Sequence, residues 1–237
     1  MSGILSFLKF GSASSSPPTL HQRFANFLAH QSIDLVIDIG ANRGQFGQSL
    51  FGSGYNGEII SIEPLPEAHG HLQDAIKQSG RRWRTGPQVA LSTKVGTSTL
   101  HIAANGGESS SFFRQSAMMQ DSAPFAREVG EIQVKTITLD HLISNLGIAG
   151  RAFALKLDIQ GAEFNVLKSS KVAINAAQYI LLEVSASGLY QGQPLYFDID
   201  ALLRKRNFRL VDLEAGFREP GSLLLHEFDA VYGRKMG

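Results

Sequence analysis

An apolar run from Leu35 to Ile39 carries one charge, Asp38, and stops at Gly40, with Gly44 and Phe46 close behind. A run this short and apolar reads as a buried strand. Glycines at 40 and 44 mark a tight turn that opens a helix. Strand, glycine turn and helix together make a nucleotide-binding element. The backbone can approach a ligand there, and the helix N-terminus offers free N–H groups. A carboxylate is a poor occupant of a buried strand, so Asp38 separates this element from an ordinary strand-to-helix turn.

The spacing restricts the nucleotide. A dinucleotide fingerprint, G-x-G-x-x-G, needs glycine at positions 42 and 45. The chain has Asn42 and Gln45 there, which disfavours a nicotinamide-dependent oxidoreductase. A second apolar run, Glu58 to Ile62, ends in Glu63-Pro64. Glu63 follows Gly40 by 23 residues, close to the distance at which an acid reaches a ribose in such units. Its carboxylate can accept hydrogen bonds from both ribose hydroxyls.

Strands and helices alternate along the 237 residues, which suit one α/β domain with a mostly parallel sheet. The expected organisation is a tail and Gly/Ser/Pro-rich linker over residues 1–18, then a single domain over 19–237. Met1 to Phe10 is apolar but too short for a signal peptide core with its cleavage site, and no run approaches the roughly 20 residues of a membrane span. A cytoplasmic location is the expectation, and self-association is compatible with the sequence. A net charge of +1 gives no pull toward nucleic acid. Without cysteine there are no disulfides or thiolate nucleophiles. No His/Asp/Glu cluster has ligand spacing, so no metal is expected. His21 and His30 read as unpaired surface residues. Arg81, Arg82 and Arg84 around Trp83 read as a solvated cluster before a strand.

Thr19 to His30 has apolar residues at helical spacing. Val89-Ala90-Leu91 is expected to end the third strand. Thr97 to Ala103 and Ile132 to Leu139 read as an inserted strand pair. Between them lies the long stretch 104–130, whose Phe112, Phe113, Met118 and Met119 suit either covering a substrate or local packing. Ala152 to Ile159 reads as the fourth core strand. Within it Lys156 and Asp158 are two apart and point the same way. Two such charges at the end of a buried strand are costly unless paired or functional, and the ligand crevice of an open α/β sheet lies at those ends. Glu183 stands near the end of the next strand, Gln178 to Val184. A Pro220-Gly221 loop joins the last two strands, which suits an antiparallel pair.

Four stretches carry a resemblance: DIGANRGQF from Asp38, SIEP ending at Pro64, the K-x-D-x-x-G-x-E run from Lys156 to Glu163, and LLEV from Leu181. In order and spacing, from about Ile33 to Tyr232, the chain resembles the FkbM family of S-adenosylmethionine-dependent methyltransferases. Gln160 stands where that family usually has glutamate. The resemblance implies a Rossmann-like class I methyltransferase fold with a mostly parallel seven-stranded sheet and a reversed last strand. It implies S-adenosylmethionine as cofactor and O-methylation of a hydroxyl on a sugar, glycan or natural product. The expected cofactor residues are Asp38, Gly40, Ala41, Asn42, Gly44, Phe46, Glu63, Pro64 and Ala90, the last small enough to pack near the adenine. Asp158 is the leading candidate for base or acceptor orientation. Lys156 is its partner or an oxyanion stabiliser, and Glu183 is a further candidate. A nucleotide-binding protein without catalysis is the other class left open.

Overall fold

The computed structural model describes residues 17–235; the apolar segment at Met1 to Phe10 lies outside them. Thr19 caps α1 (Leu20–His30) by accepting from the Gln22 N–H, while the Gln22 side chain accepts from the Thr19 N–H. Leu20, Phe24, Ala25 and Leu28 fall on one side of α1 and are buried; burial stabilises each large side chain by about 1.5–3 kcal/mol. Then come β1 (Leu35–Ile39), α2 (Gln45–Gly52), β2 (Glu58–Ile62), α3 (Pro66–Ser79) and β3 (Trp83–Thr85). An insertion holds β4 (Ala90–Leu91), β5 (Gly96–Ala103), α4 (Ala117–Ser122) and β6 (Glu128–Ile137). The chain continues with α5 (Leu139–Asn145), β7 (Phe153–Leu157), α6 (Glu163–Ser169) and α7 (Val172–Ala176). Last are β8 (Ala177–Ser185), α8 (Tyr196–Lys205), β9 (Phe208–Ala215) and β10 (Glu227–Arg234).

The main sheet has seven strands in the order β3-β2-β1-β7-β8-β10-β9, and β10 runs antiparallel to both neighbours. Strand order reverses between β1 and β7, which opens a crevice beyond their carboxyl ends. The inserted pair is in fact a three-stranded sheet, β4-β6-β5. Val89-Ala90-Leu91 does not end the third strand of the main sheet. Trp83–Thr85 is that strand, and Ala90 and Leu91 pair instead with Thr136 and Ile137. Pro87 between them has no N–H to continue a ladder.

Alternation along the strands divides the core. Ile37, Ile39, Leu155, Leu157 and Leu182 pack toward α5, α6 and α8. Val36, Ala154 and Leu181 pack toward Phe24, Phe46 and Trp83 on the other face. Asp38 and Lys156 belong to this second face, paired across β1 and β7.

Candidate active site

Asp38 is fully buried. Its Oδ2 accepts from Ser61 Oγ at 2.8 Å, and Ser61 Oγ accepts from Trp83 Nε1 at 2.9 Å. Its Oδ1 faces the Lys156 ammonium at 3.4 Å. Burial pushes the Asp38 carboxyl above the usual carboxylate range, against the pull of Lys156 and Ser61. Burial also works against the Lys156 charge, but Asp158 and Asp38 outweigh it and hold the ammonium above its ordinary value. Lys156 Nζ also donates to the Gly40 carbonyl at 3.0 Å. These residues form the floor of the crevice and fix the glycine turn from below.

Gly40 has φ +76°, and a Cβ there would lie 1.8 Å from the Asp158 carbonyl oxygen. The turn therefore passes directly over the end of β7. Gly44, at φ +92°, caps α2, and its missing side chain makes room for Trp83. It serves the turn and the packing beneath and lines neither cavity described here.

Beyond β1 and β2 lies a narrow cleft of about 50 Å³ whose walls include Gly40, Glu63, Pro64, Ala90, Phe112 and Asp158. Glu63 Oε2 accepts from the Asn42 N–H and Oε1 from the Leu65 N–H, each at 2.8 Å. Burial nevertheless pushes its carboxyl up to about 7. Part of the wall of this cleft is the loop 104–113. Asn42 Nδ2 donates to the Gly106 carbonyl at 3.2 Å, and Gln45 Nε2 donates to Glu108 at 2.9 Å. The cleft is narrower than the roughly 300–1,000 Å³ usual for small-molecule sites, and this loop forms one of its walls. The stretch 104–130 divides the two roles expected of its apolar residues. Phe112 faces the cleft, whereas Phe113 and Met119 pack with Leu189 and Tyr190.

A second cavity of about 490 Å³ adjoins the first. Lys156, Asp158, Glu183, Glu227 and Asp229 line it together with Ala41, Phe46 and His21. Gly40, Asn42, Glu108, Asp158 and Gln160 line both cavities. Asp158 Oδ2 faces Lys156 Nζ at 3.4 Å, and its side chain is 35% exposed to the cavity. Burial, then Glu227 and Asp158, push Glu183 well above its ordinary value. Glu227 is pushed up to about 8 by burial and by Asp158, and Asp229 to about 6 for the same reasons.

Of the expected residues, the structure thus gathers Gly40, Asn42, Glu63, Pro64 and Ala90 around the narrow cleft. It gathers Ala41, Phe46, Lys156, Asp158 and Glu183 around the wide one. Asp38 and Gly44 lie underneath. His21 is not a free surface residue: Nδ1 is 2.6 Å from Ser49 Oγ and the ring edge meets Phe46. Glu227 and Asp229 were not expected. Reversed β10 sets Asp229 opposite Glu183. Two acids at i and i+2 in an apolar strand are the same signal that marks Lys156 and Asp158. One cluster of ligand-type residues also forms outside the crevice. His101, Glu128 and Glu131 converge across β5 and β6, where Arg114 bonds both glutamates at 3.0 and 2.8 Å.

The crowded acids carry a stability consequence. In the folded protein Glu227, Asp229 and Glu183 hold their protons more tightly than in the unfolded chain. The unfolded state therefore binds fewer protons between about pH 4 and 8, and folding stability falls as pH rises through that window. The unliganded protein is expected to melt at a lower temperature at pH 8 than at pH 6. Glu227→Gln should narrow that gap, gaining ~1–3 kcal/mol at the upper end. Scanning calorimetry of both proteins checks this; an unchanged gap would show that Glu227 is charged without penalty.

The sheet order, the glycine turn after β1 and the acid ending β2 define an S-adenosylmethionine-dependent methyltransferase of class I. The Methyltransferase FkbM domain model matches residues 38–210. The chain belongs to the FkbM methyltransferase family. The 2-O-methyltransferase NoeI of Sinorhizobium fredii (strain NBRC 101917 / NGR234) is 26% identical over 174 residues, covering 71% of this chain and 70% of that protein. An rRNA methylase from Streptococcus thermophilus shares the fold with a TM-score of 0.51 at 10% identity, covering 94% of this chain and 100% of that one. TehB from Haemophilus influenzae aligns with a TM-score of 0.47 at 9% identity, over 91% of this chain and 63% of that one.

Proposed function

We propose that this methyltransferase acts on a hydroxyl oxygen of a small-molecule or glycan acceptor held in the acidic cavity. The supporting observation is that the narrow cleft and the wide cavity meet at Asp158, which lines both. The name of NoeI, a 2-O-methyltransferase, supports oxygen as the accepting atom. Glu63 suits the ribose hydroxyls, and Ala90 leaves room for a flat base. Bound S-adenosylmethionine supplies an electrophilic methyl group on a sulfonium. The acceptor oxygen would take that methyl group, and the electron pair of the broken carbon–sulfur bond would stay on sulfur. The hydroxyl proton passes to the Asp158 carboxylate, and Lys156 steadies the charge on the oxygen while it leaves. Alignment of the two reactants can supply much of the acceleration.

The test is incubation of the protein with cell extracts and a methyl-deuterated cofactor, followed by mass spectrometry. A labelled product with the methyl on oxygen is the expected result. Cofactor binding with no labelled product would favour the non-catalytic nucleotide-binding alternative. Labelling on nitrogen or carbon would correct the acceptor class.

Glu63→Ala should weaken cofactor binding by about 1.5–3 kcal/mol, the usual worth of hydrogen bonds to a charged group. The wild-type affinity should also fall as pH drops below about 7, because the protonated carboxyl accepts less well. Titration calorimetry at two pH values measures both effects. A correctly folded Glu63→Ala protein with an unchanged Kd would remove the ribose from its role.

A further inference from the structure

Gln160 has no role in the methyl transfer itself, yet its side chain bonds Asp158, Glu183 and Tyr190. It follows β7 with φ +51°, a left-handed conformation that strains a residue with a side chain by about 1–2 kcal/mol. Its Nε2 donates to Asp158 Oδ1 at 2.7 Å and to Glu183 Oε2 at 2.8 Å. Its Oε1 accepts from the Tyr190 hydroxyl at 2.7 Å. Tyr190 Oη also lies 3.1 Å from the Ser109 carbonyl, and Ser111 Oγ donates to the Gln160 carbonyl at 2.6 Å. The loop that walls the narrow cleft is therefore fastened to the backbone of residue 160 by the Ser111 hydroxyl. The Asp158 carboxylate sets the orientation of the amide. Turned over, its oxygen would face the Asp158 carboxylate oxygen, which has no proton to give.

We propose that Gln160 is a positioning residue whose amide bridges Asp158 and Glu183 at any pH, so that closing the 104–113 loop sets the Asp158 carboxylate toward the acceptor. The proposal rests on the methyl-transfer reading above. An amide offers two N–H donors whatever the pH, whereas a carboxyl of the same shape offers one, and only while protonated. The charged surroundings make the distinction matter. Lys156 faces the bridge from β7, Asp158 from just beyond it, Glu183 from β8, Glu227 and Asp229 from β10, Glu163 from α6, and Glu108 from the 104–113 loop. Tyr190 faces it from the 186–195 loop, and His21 lines the same cavity from α1. A carboxylate at position 160 would join these acids, while the Lys156 ammonium is already shared between Asp158 and Asp38.

The test compares wild type, Q160E and Q160M. The kcat is followed from about pH 6 to 9 on the acceptor found by deuterium labelling, and Tm is followed over the same range on the unliganded proteins. Q160E should work best at the acid end and lose ~10-fold or more relative to wild type toward the alkaline end. Q160M, which has no donor and no charge, should lose kcat by a ratio that does not change with pH, with the cofactor Kd kept. A Q160E-to-wild-type ratio constant across the range, or Q160M at wild-type kcat, would overturn the proposal. The Tm series needs no acceptor. The Q160E deficit should widen as pH rises, and a deficit independent of pH would remove the bridge. If wild type transfers no methyl group, the function above fails and the Tm series still judges the bridge. Should Q160E not fold at any pH, Q160M decides through its kcat and Tm.

Discussion

Asp158→Asn should lower turnover by a factor on the order of 10²–10⁴ while cofactor affinity stays near wild type. The substitution keeps the size of the side chain and removes the proton acceptor. Asp158 lines both cavities, but the ribose-facing acid is Glu63, so the loss should fall on kcat. The competing account makes Asp158 only the ion-pair partner of Lys156. The structure limits what that account can claim, because Lys156 keeps Asp38 at 3.4 Å and the Gly40 carbonyl at 3.0 Å when Asp158 is neutralised. The variant should therefore lose little stability, and Tm and single-turnover rate measured on one preparation separate the accounts. Full turnover in Asp158→Asn would take the residue out of the mechanism.

Gly40→Ala should have the largest effect on folding. At φ +76° a Cβ strains the backbone by about 1–2 kcal/mol, and here it would also lie 1.8 Å from the Asp158 carbonyl oxygen. That neighbour is main chain, held by the bond from Asp158 N–H to the Ile39 carbonyl at 3.1 Å. Relief requires β1 and β7 to part at the centre of the sheet, and the expected loss exceeds ~4 kcal/mol. Gly54→Ala is the control. Its φ is +95° but nothing lies within 4 Å of the added carbon, so it should lose only the backbone term of about 1–2 kcal/mol. Urea melts of the two variants would show the difference. A Gly40→Ala protein that melts like Gly54→Ala would mean that the close approach yields easily.

Local chemistry explains what could be read from the chain alone. Residues 35–46 are a strand, a turn and a helix start within twelve positions, and each signal is local: apolar run, positive-φ glycine, polar helix opening. Glu63 is legible because one βα unit fixes its distance from Gly40. Lys156 and Asp158 are legible because a strand alternates with period two, so two charges on one face stand out against buried neighbours. Glu227 and Asp229 follow the same rule, but only the pairing of β10 with β8 carries them to the crevice.

The rest depended on what the sheet brings together. Val89-Ala90-Leu91 has the composition of a core strand, yet Trp83–Thr85 takes that place, because backbone pairing, which no composition encodes, assigns each run to its sheet. Glu183 and Asp229 are 46 residues apart in sequence and become partners only in the antiparallel register of β8 and β10. His21 reads as a surface residue on an amphipathic helix until α1 docks beside α2 and puts its ring on Phe46. Gln160 was visible only as a glutamine where an acid is usual. Its contacts with Asp158, Glu183 and Tyr190 exist because a left-handed backbone at the end of β7 aims one amide at three elements. The nucleotide element, its acid and the charged end of β7 are local features, each set by steric and hydrogen-bond rules acting over a few residues. Which acids share one cavity is a property of the assembled sheet, since their burial and mutual repulsion arise only when distant strands meet.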